Sequence, residues 1–182
     1  MASIIETFGH CLDRIAEHHP AAARRLLLAA YWTYGRAITW FPDKRLPPSR
    51  QYLATVSIDT ILKPLAHPER AMLTSIFTPC ELIRVFDFHP MCAELYSAYI
   101  NGTFAGAPFI AAAEAAGLPE TFCSYHRITV GAALADVLKP PAAILNVSLA
   151  CDANNLTFRF LADKYRIPHY YVDVPISAMK KA

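Results

Sequence analysis

Residues 143–149 read Ala-Ile-Leu-Asn-Val-Ser-Leu, a nearly continuous apolar run with Pro140-Pro141 before it and Cys151-Asp152 just after it. A strand with one wet face alternates polar and apolar side chains. A run that is apolar at almost every position suits a strand buried on both faces, which is how strands sit in parallel sheets. The next residues agree. Leu156, Phe160 and Leu161 form the apolar stripe of a helix over 155–165, Ile167-Pro168 turns the chain, and 169–174 is strand-like again, with Pro175 ending it. Upstream, Thr121-Phe122 reads as the end of a further short strand and 125–138 as the helix after it. This βαβαβ order predicts a parallel sheet with right-handed crossovers.

The rest of the chain reads as helical. Ile4, Ile5, Phe8, Leu12 and Ile15 recur at helical spacing, His18-His19-Pro20 interrupts them, and 21–34 is rich in Ala, Leu and Arg, all good helix formers. Pro42, Pro47 and Pro48 mark a loop, and 59–66 suits another short helix. Thr78-Pro79-Cys80-Glu81 has the form of a helix start, with Thr78 as N-cap, Pro79 at N1 and Glu81 closing a capping box. His89-Pro90 ends that helix. Residues 93–100 form the next, stopped by Asn101-Gly102, and an alanine-rich helix over 109–116 opens at Pro108 and closes at Gly117. The expected organisation is therefore a helical extension over 1–70 followed by an α/β lobe over 71–182. The fold class is α/β: a Rossmann-like parallel sheet flanked by helices.

Composition narrows the functional classes. A formal charge of +2 is too small for a nucleic-acid footprint. The most apolar early stretch, 26–34, is flanked by Arg24, Arg25 and Arg36 and falls short of the roughly 20 apolar residues a spanning helix needs. Glu6, His10, Asp13 and Arg14 break any signal-peptide core. Neither a nucleic-acid nor a membrane partner is expected, and the default location is the cytoplasm. Five cysteines (Cys11, Cys80, Cys92, Cys123, Cys151) without C-x-x-C pairs suit neither a disulfide framework nor a zinc ribbon. Each on its own reads as a small buried hydrophobe. His18-His19 reads as an exposed pair at a helix end.

Cys123 and Cys151 stand out by position, since each follows an expected strand and precedes an expected helix. Ligands of open α/β sheets bind outside the carboxyl ends of the strands. A helix N-terminus lowers a thiol's pKa and donates N–H groups to a bound anion or cluster sulfur. Two such thiols can share one crevice. Ser124 and Asn154 or Asn155 could add donors there or serve as helix caps.

The ordered segments of the second half resemble a known family. Thr78-Pro79-Cys80-Glu81-Leu82-Ile83 followed by His89-Pro90, Gly117-Leu118-Pro119 leading to Cys123-Ser124-Tyr125, Cys151-Asp152, and Tyr165-Arg166-Ile167-Pro168 before Val172-Asp173-Val174-Pro175 are similar to subunits of the 2-hydroxyacyl-CoA dehydratase / benzoyl-CoA reductase family. The resemblance implies a [4Fe–4S] cluster held by three cysteines, of which Cys123 and Cys151 would be two. It implies elimination of water from a 2-hydroxyacyl-CoA by a one-electron, ketyl-radical route. The implied partners are a second subunit, an ATP-hydrolysing iron–sulfur activator and the acyl-CoA substrate. Glu81 matches a glutamate near the active site in some subunits, a role that can coexist with the capping box.

The sequence departs from the family in two places. The chain is shorter than family subunits and looks like their N-terminal half, so the third ligand would lie in a missing C-terminal lobe. Cys80 is the substitute within the chain, ahead of Cys92 and Cys11. Asp87-Phe88 stands where the family usually has a glycine. Two other readings stay open: a component of a related ATP-dependent low-potential reductase, and a non-enzymatic remnant acting as a scaffold or binding module.

Overall fold

The computed structural model describes residues 4–149 and 151–174. Three long helices lead: α1 (Ile4–His18), α2 (Pro20–Trp40) and α3 (Pro48–Ala66). The α/β part follows as β1 (Ala71–Thr74), α4 (Cys80–Val85), β2 (His89–Cys92), α5 (Ala93–Gly102), α6 (Ala107–Ala115), α7 (Ser124–Leu134), β3 (Ala143–Val147), α8 (Asp152–Tyr165) and β4 (His169–Val172). The four strands form one sheet in the order β2-β1-β3-β4, and every pairing is parallel. The chain moves outward from β1 to β2, then crosses back over β1 to build β3 and β4. Its direction of progress reverses between β1 and β3, and that is where a doubly wound sheet opens a crevice.

The α/β class and the strands at β3 and β4 are as the sequence leads one to expect. So is the end of α6. Gly117 has φ of 100°, its N–H donates to the Glu114 carbonyl, and the Leu118 N–H donates to that of Ala113. This double closure is the usual helix stop built on a left-handed glycine. The residue at 175 named as a strand terminator lies outside the described residues.

Four local expectations are corrected. Residues 121–122 are a turn, not a strand end. Residues 89–92 do not merely end a helix: they are β2, an edge strand, where Pro90 is tolerated because the missing N–H need not face a neighbour. Helix α3 begins at Pro48 and not near residue 59, since a proline at the first turn loses no helical hydrogen bond. Thr78 does not cap α4. Pro79 occupies the N-cap without a side-chain bond. The Thr78 hydroxyl accepts the Ser75 N–H at 3.2 Å, pairs with the Ser75 hydroxyl at 2.9 Å, and lies 3.3 Å from the Leu145 carbonyl of β3. The hydroxyl closes the loop after β1 and ties it to β3, a use that leaves no donor or acceptor for a capping box.

Register places Leu73, Met91 and Ile144 side by side on one sheet face. They join a single hydrophobic cluster with Leu12 and Leu27 from the leading helices, Ile58 and Ile61 from α3, Tyr96 from α5, Phe109 from α6 and Phe158 and Leu161 from α8. The leading helices thus share the core of the sheet. Helices α6 and α7 meet at Gly131, where a Cβ would stand 1.8 Å from the Phe109 carbonyl oxygen, so the backbones touch. Asp87, just after α4, adopts φ of 61°, a left-handed conformation that glycine takes without strain.

Candidate functional site at the carboxyl edge of the sheet

Four of the five cysteines sit at helix starts. Cys80 is the first residue of α4, and Cys92, Cys123 and Cys151 are the N-caps of α5, α7 and α8. None of these helices has a side-chain cap hydrogen bond at its start. The local reason is simple. β1, β2 and β3 each run through a loop or directly into a helix, and the residue at that joint faces the carboxyl edge. Cys80 and Cys151 follow β1 and β3, the two strands that flank the switch point.

Cys123 reaches the same edge by another route. Helix α5 starts from the end of β2, and α7 is held beside it through the first two turns of each helix. The Ser97 hydroxyl of α5 donates to the Tyr125 carbonyl of α7 at 2.6 Å. The Thr129 hydroxyl lies 2.7 Å from that of Ser97 and 3.2 Å from the Ala93 carbonyl. Ser97 and Thr129 are fully buried, so this polar knot fixes where α7 begins. Helix α7 also packs on α8. The N-caps Cys123 and Cys151 therefore open adjacent helices.

The thiols differ in environment. Cys123 and Cys151 are exposed. Cys80 is half-buried, and burial raises its pKa. Cys92 is buried; burial, and then the neighbouring Glu94 carboxylate, push its pKa up to about 12. Its Sγ donates to Glu94 Oε2 at 3.3 Å. Cys92 is a locked thiol and a poor metal ligand, because ligation needs the thiolate.

Beside Cys123, in the first turn of α7, lies His126. It is 3% exposed, its Nδ1 has no hydrogen-bond partner, and the Phe122 ring meets it edge-on at 6.3 Å. Burial lowers its pKa, with Glu94 opposing. Nothing in the sequence marks His126, Ser97 or Thr129, because their roles arise only when α5 and α7 are side by side. Glu81 is exposed in the first turn of α4. Ser124 is the first residue of α7 and Asn154 lies inside α8, so neither is the cap of its helix. Asn154 instead donates from Nδ2 to the Leu149 carbonyl at 3.4 Å.

The donor set suits a cluster in part. Cys123 and Cys151 are exposed thiols at the N-caps of two packed helices. Among the described residues no three His, Cys, Asp or Glu side chains come together to hold a metal ion. Among the described residues no third ligand joins Cys123 and Cys151 in such a group.

The fold and this edge define a class: an α/β protein with a parallel sheet whose carboxyl side presents cysteines at helix starts. Residues 75–182 match the family described as 2-hydroxyglutaryl-CoA dehydratase, D-component. The match spans more than half of the chain, and the chain belongs to that family. Compared with curated proteins, it shows no match. The family is a component of a dehydratase, which implies a partner subunit. No helix among the described residues is long and apolar enough to cross a membrane.

Proposed function

We propose that the chain is an iron–sulfur subunit of a 2-hydroxyacyl-CoA dehydratase, acting with a second subunit or lobe and an ATP-hydrolysing iron–sulfur activator. The observation that carries this reading is the pair Cys123 and Cys151: exposed N-caps of two packed helices, at the carboxyl edge of a parallel sheet, in a chain of the dehydratase D-component family.

In this reading Cys123 and Cys151 are two of the ligands of a [4Fe–4S] cluster, and the remaining one comes from outside the described residues. When bound, the cluster would pass one electron to the acyl-CoA thioester and offer an open iron to its carbonyl oxygen. The protein residues do the rest. The partial positive charge at the N-termini of α7 and α8 would favour the charge of a cluster held there. The Ser97–Thr129 knot holds Cys123 in place without help from the ligand. The Glu81 carboxylate, exposed at the start of α4, is available to move a proton as water leaves a 2-hydroxyacyl group.

Anaerobic purification, reconstitution with iron and sulfide, and a visible spectrum test the reading. Broad cluster absorption is expected. It should be abolished or converted in Cys123→Ala and in Cys151→Ala, and unchanged in Cys11→Ala. Iron and sulfide contents that are the same in all three variants would overturn the assignment.

A further inference from the structure

Asn146 is a polar exception in the middle of the apolar strand β3, and it is fully buried. Its carboxamide is spent on a directed chain. Nδ2 lies 3.5 Å from the Val147 carbonyl oxygen, a group that only accepts, so this side of the amide is the donor. The same Nδ2 donates to Asn155 Oδ1 of α8 at 3.2 Å. Asn146 Oδ1 therefore faces His169 of β4, at 2.6 Å from Nε2. An amide oxygen accepts only, so His169 carries its proton on Nε2 and leaves Nδ1 unspent.

The chain of bonds ends in an open cleft of about 360 Å³ between α8 and β4, lined by Asn155, Arg159, His169 and Tyr171. That size falls in the range of small-molecule sites, roughly 300–1,000 Å³. Each lining residue keeps a free polar group. Asn155 has given its oxygen to Asn146, so its NH₂ is left. Among the described residues no hydrogen bond or ion pair engages the Arg159 guanidinium, His169 Nδ1 or the Tyr171 hydroxyl. The Tyr171 ring meets His169 edge-on at 6.5 Å. Donors outnumber acceptors here, and one of them is a permanent cation in a fork geometry suited to oxyanions.

We propose that this cleft is an oxyanion site that takes the phosphate group of an organic ligand, with Arg159 as its charged anchor and Asn155, His169 and Tyr171 as its directional contacts. The titratable and charged groups facing His169 are Arg159 and Asp163 from α8 and Tyr171 from its own strand. β3 presents the neutral Asn146. Burial, and then Arg159, hold the imidazole below its ordinary pKa, with Asp163 opposing. A bound dianion offsets both effects. Phosphate is therefore expected to bring a proton onto Nδ1, which turns an acceptor in the cleft into a further donor.

Inorganic phosphate titrated into the full chain, followed by NMR of the His169 ring and the Asn155 side-chain amide, tests the proposal, with acetate as the second arm. The expected result is a saturable shift of both signals with phosphate, an upward move of the His169 pKa, and much weaker binding of acetate. Arg159→Gln, at an exposed position, should weaken phosphate binding at least about tenfold while leaving the remaining spectrum unchanged. Absence of a saturable shift, or equal binding by Arg159→Gln, overturns the site. Acetate binding as tightly as phosphate overturns the phosphate assignment in favour of a carboxylate.

Discussion

The hydroxyl of Ser97 reaches the carbonyl oxygen of Tyr125 at 2.6 Å, linking the second turn of α5 to the first turn of α7. Ser97 spends its proton there, so Thr129 donates to Ser97 across their 2.7 Å contact. Removing the Ser97 hydroxyl takes one donor from the Tyr125 carbonyl and leaves the Thr129 hydroxyl the longer contacts to the Ala93 and Tyr125 carbonyls at 3.2 and 3.3 Å. Ser97→Ala should cost about 1 kcal/mol, read as a lower urea midpoint with unchanged m-value. A change within experimental error would mean that the knot does not anchor α7.

Thiol chemistry separates the cysteines. Cys11, Cys123 and Cys151 are exposed, Cys80 is half-buried and Cys92 is buried. With a pKa near 12, Cys92 holds only about one part in ten thousand as thiolate at pH 8. Iodoacetamide at pH 8, followed by peptide mass spectrometry, should label the three exposed cysteines first, Cys80 slowly and Cys92 only after unfolding. Early labelling of Cys92 would contradict its burial against Glu94.

Acid sensitivity follows from His126. Burial lowers its folded pKa below the ordinary value of 6.5. The unfolded chain then takes up the proton first as pH falls. Stability from this group is complete above pH 6.5 and is lost as pH drops from there toward the folded pKa. His89 and His169 shift in the same direction. Urea midpoints should fall between pH 7 and pH 5, and His126→Gln should lose less over that interval than the parent. An equal loss in both proteins would remove His126 from the account.

Asp87 offers a test of backbone strain that is independent of its charge. Its carboxylate pairs with Arg70, while the Arg70 Nη2 also donates to the Asp87 carbonyl at 2.9 Å. Asp87→Gly and Asp87→Ala both delete the carboxylate, but only glycine adopts φ of 61° freely. Thermal unfolding should place the glycine variant above the alanine variant by about 1 kcal/mol. The order reversed would mean that this turn relaxes out of the left-handed region.

How much of this was visible in the chain depends on how local the cause is. Residues 143–149 reveal β3 because burial on both faces is written in consecutive side chains. Gly117 reveals the end of α6 because the stop is a property of one residue. β1 and β2 are only four residues each, and β2 contains a proline, so their signal comes from partners distant in sequence. Cys151 follows a strand as its neighbours suggest. Cys123 arrives at the same edge without a strand before it, through α5, and no pattern around residue 123 records that. The Asn146–His169 contact is likewise a product of register: β3 and β4 pair Ile144 with His169 and Asn146 with Tyr171, which leaves the two side chains diagonal neighbours. Asn146 alone carried a hint, as the amide inside an apolar run.

Gly131 has a consequence for how this site varies. With the Phe109 carbonyl 1.8 Å from where a Cβ would stand, alanine is as unwelcome there as tryptophan. Helices α6 and α7 are in effect welded, and the thiol at the head of α7 inherits the position of a helix that bears no chemistry of its own. Descendants of this sequence are free to redraw the rim around Cys123, but drift at 131 is closed to them unless α6 moves first.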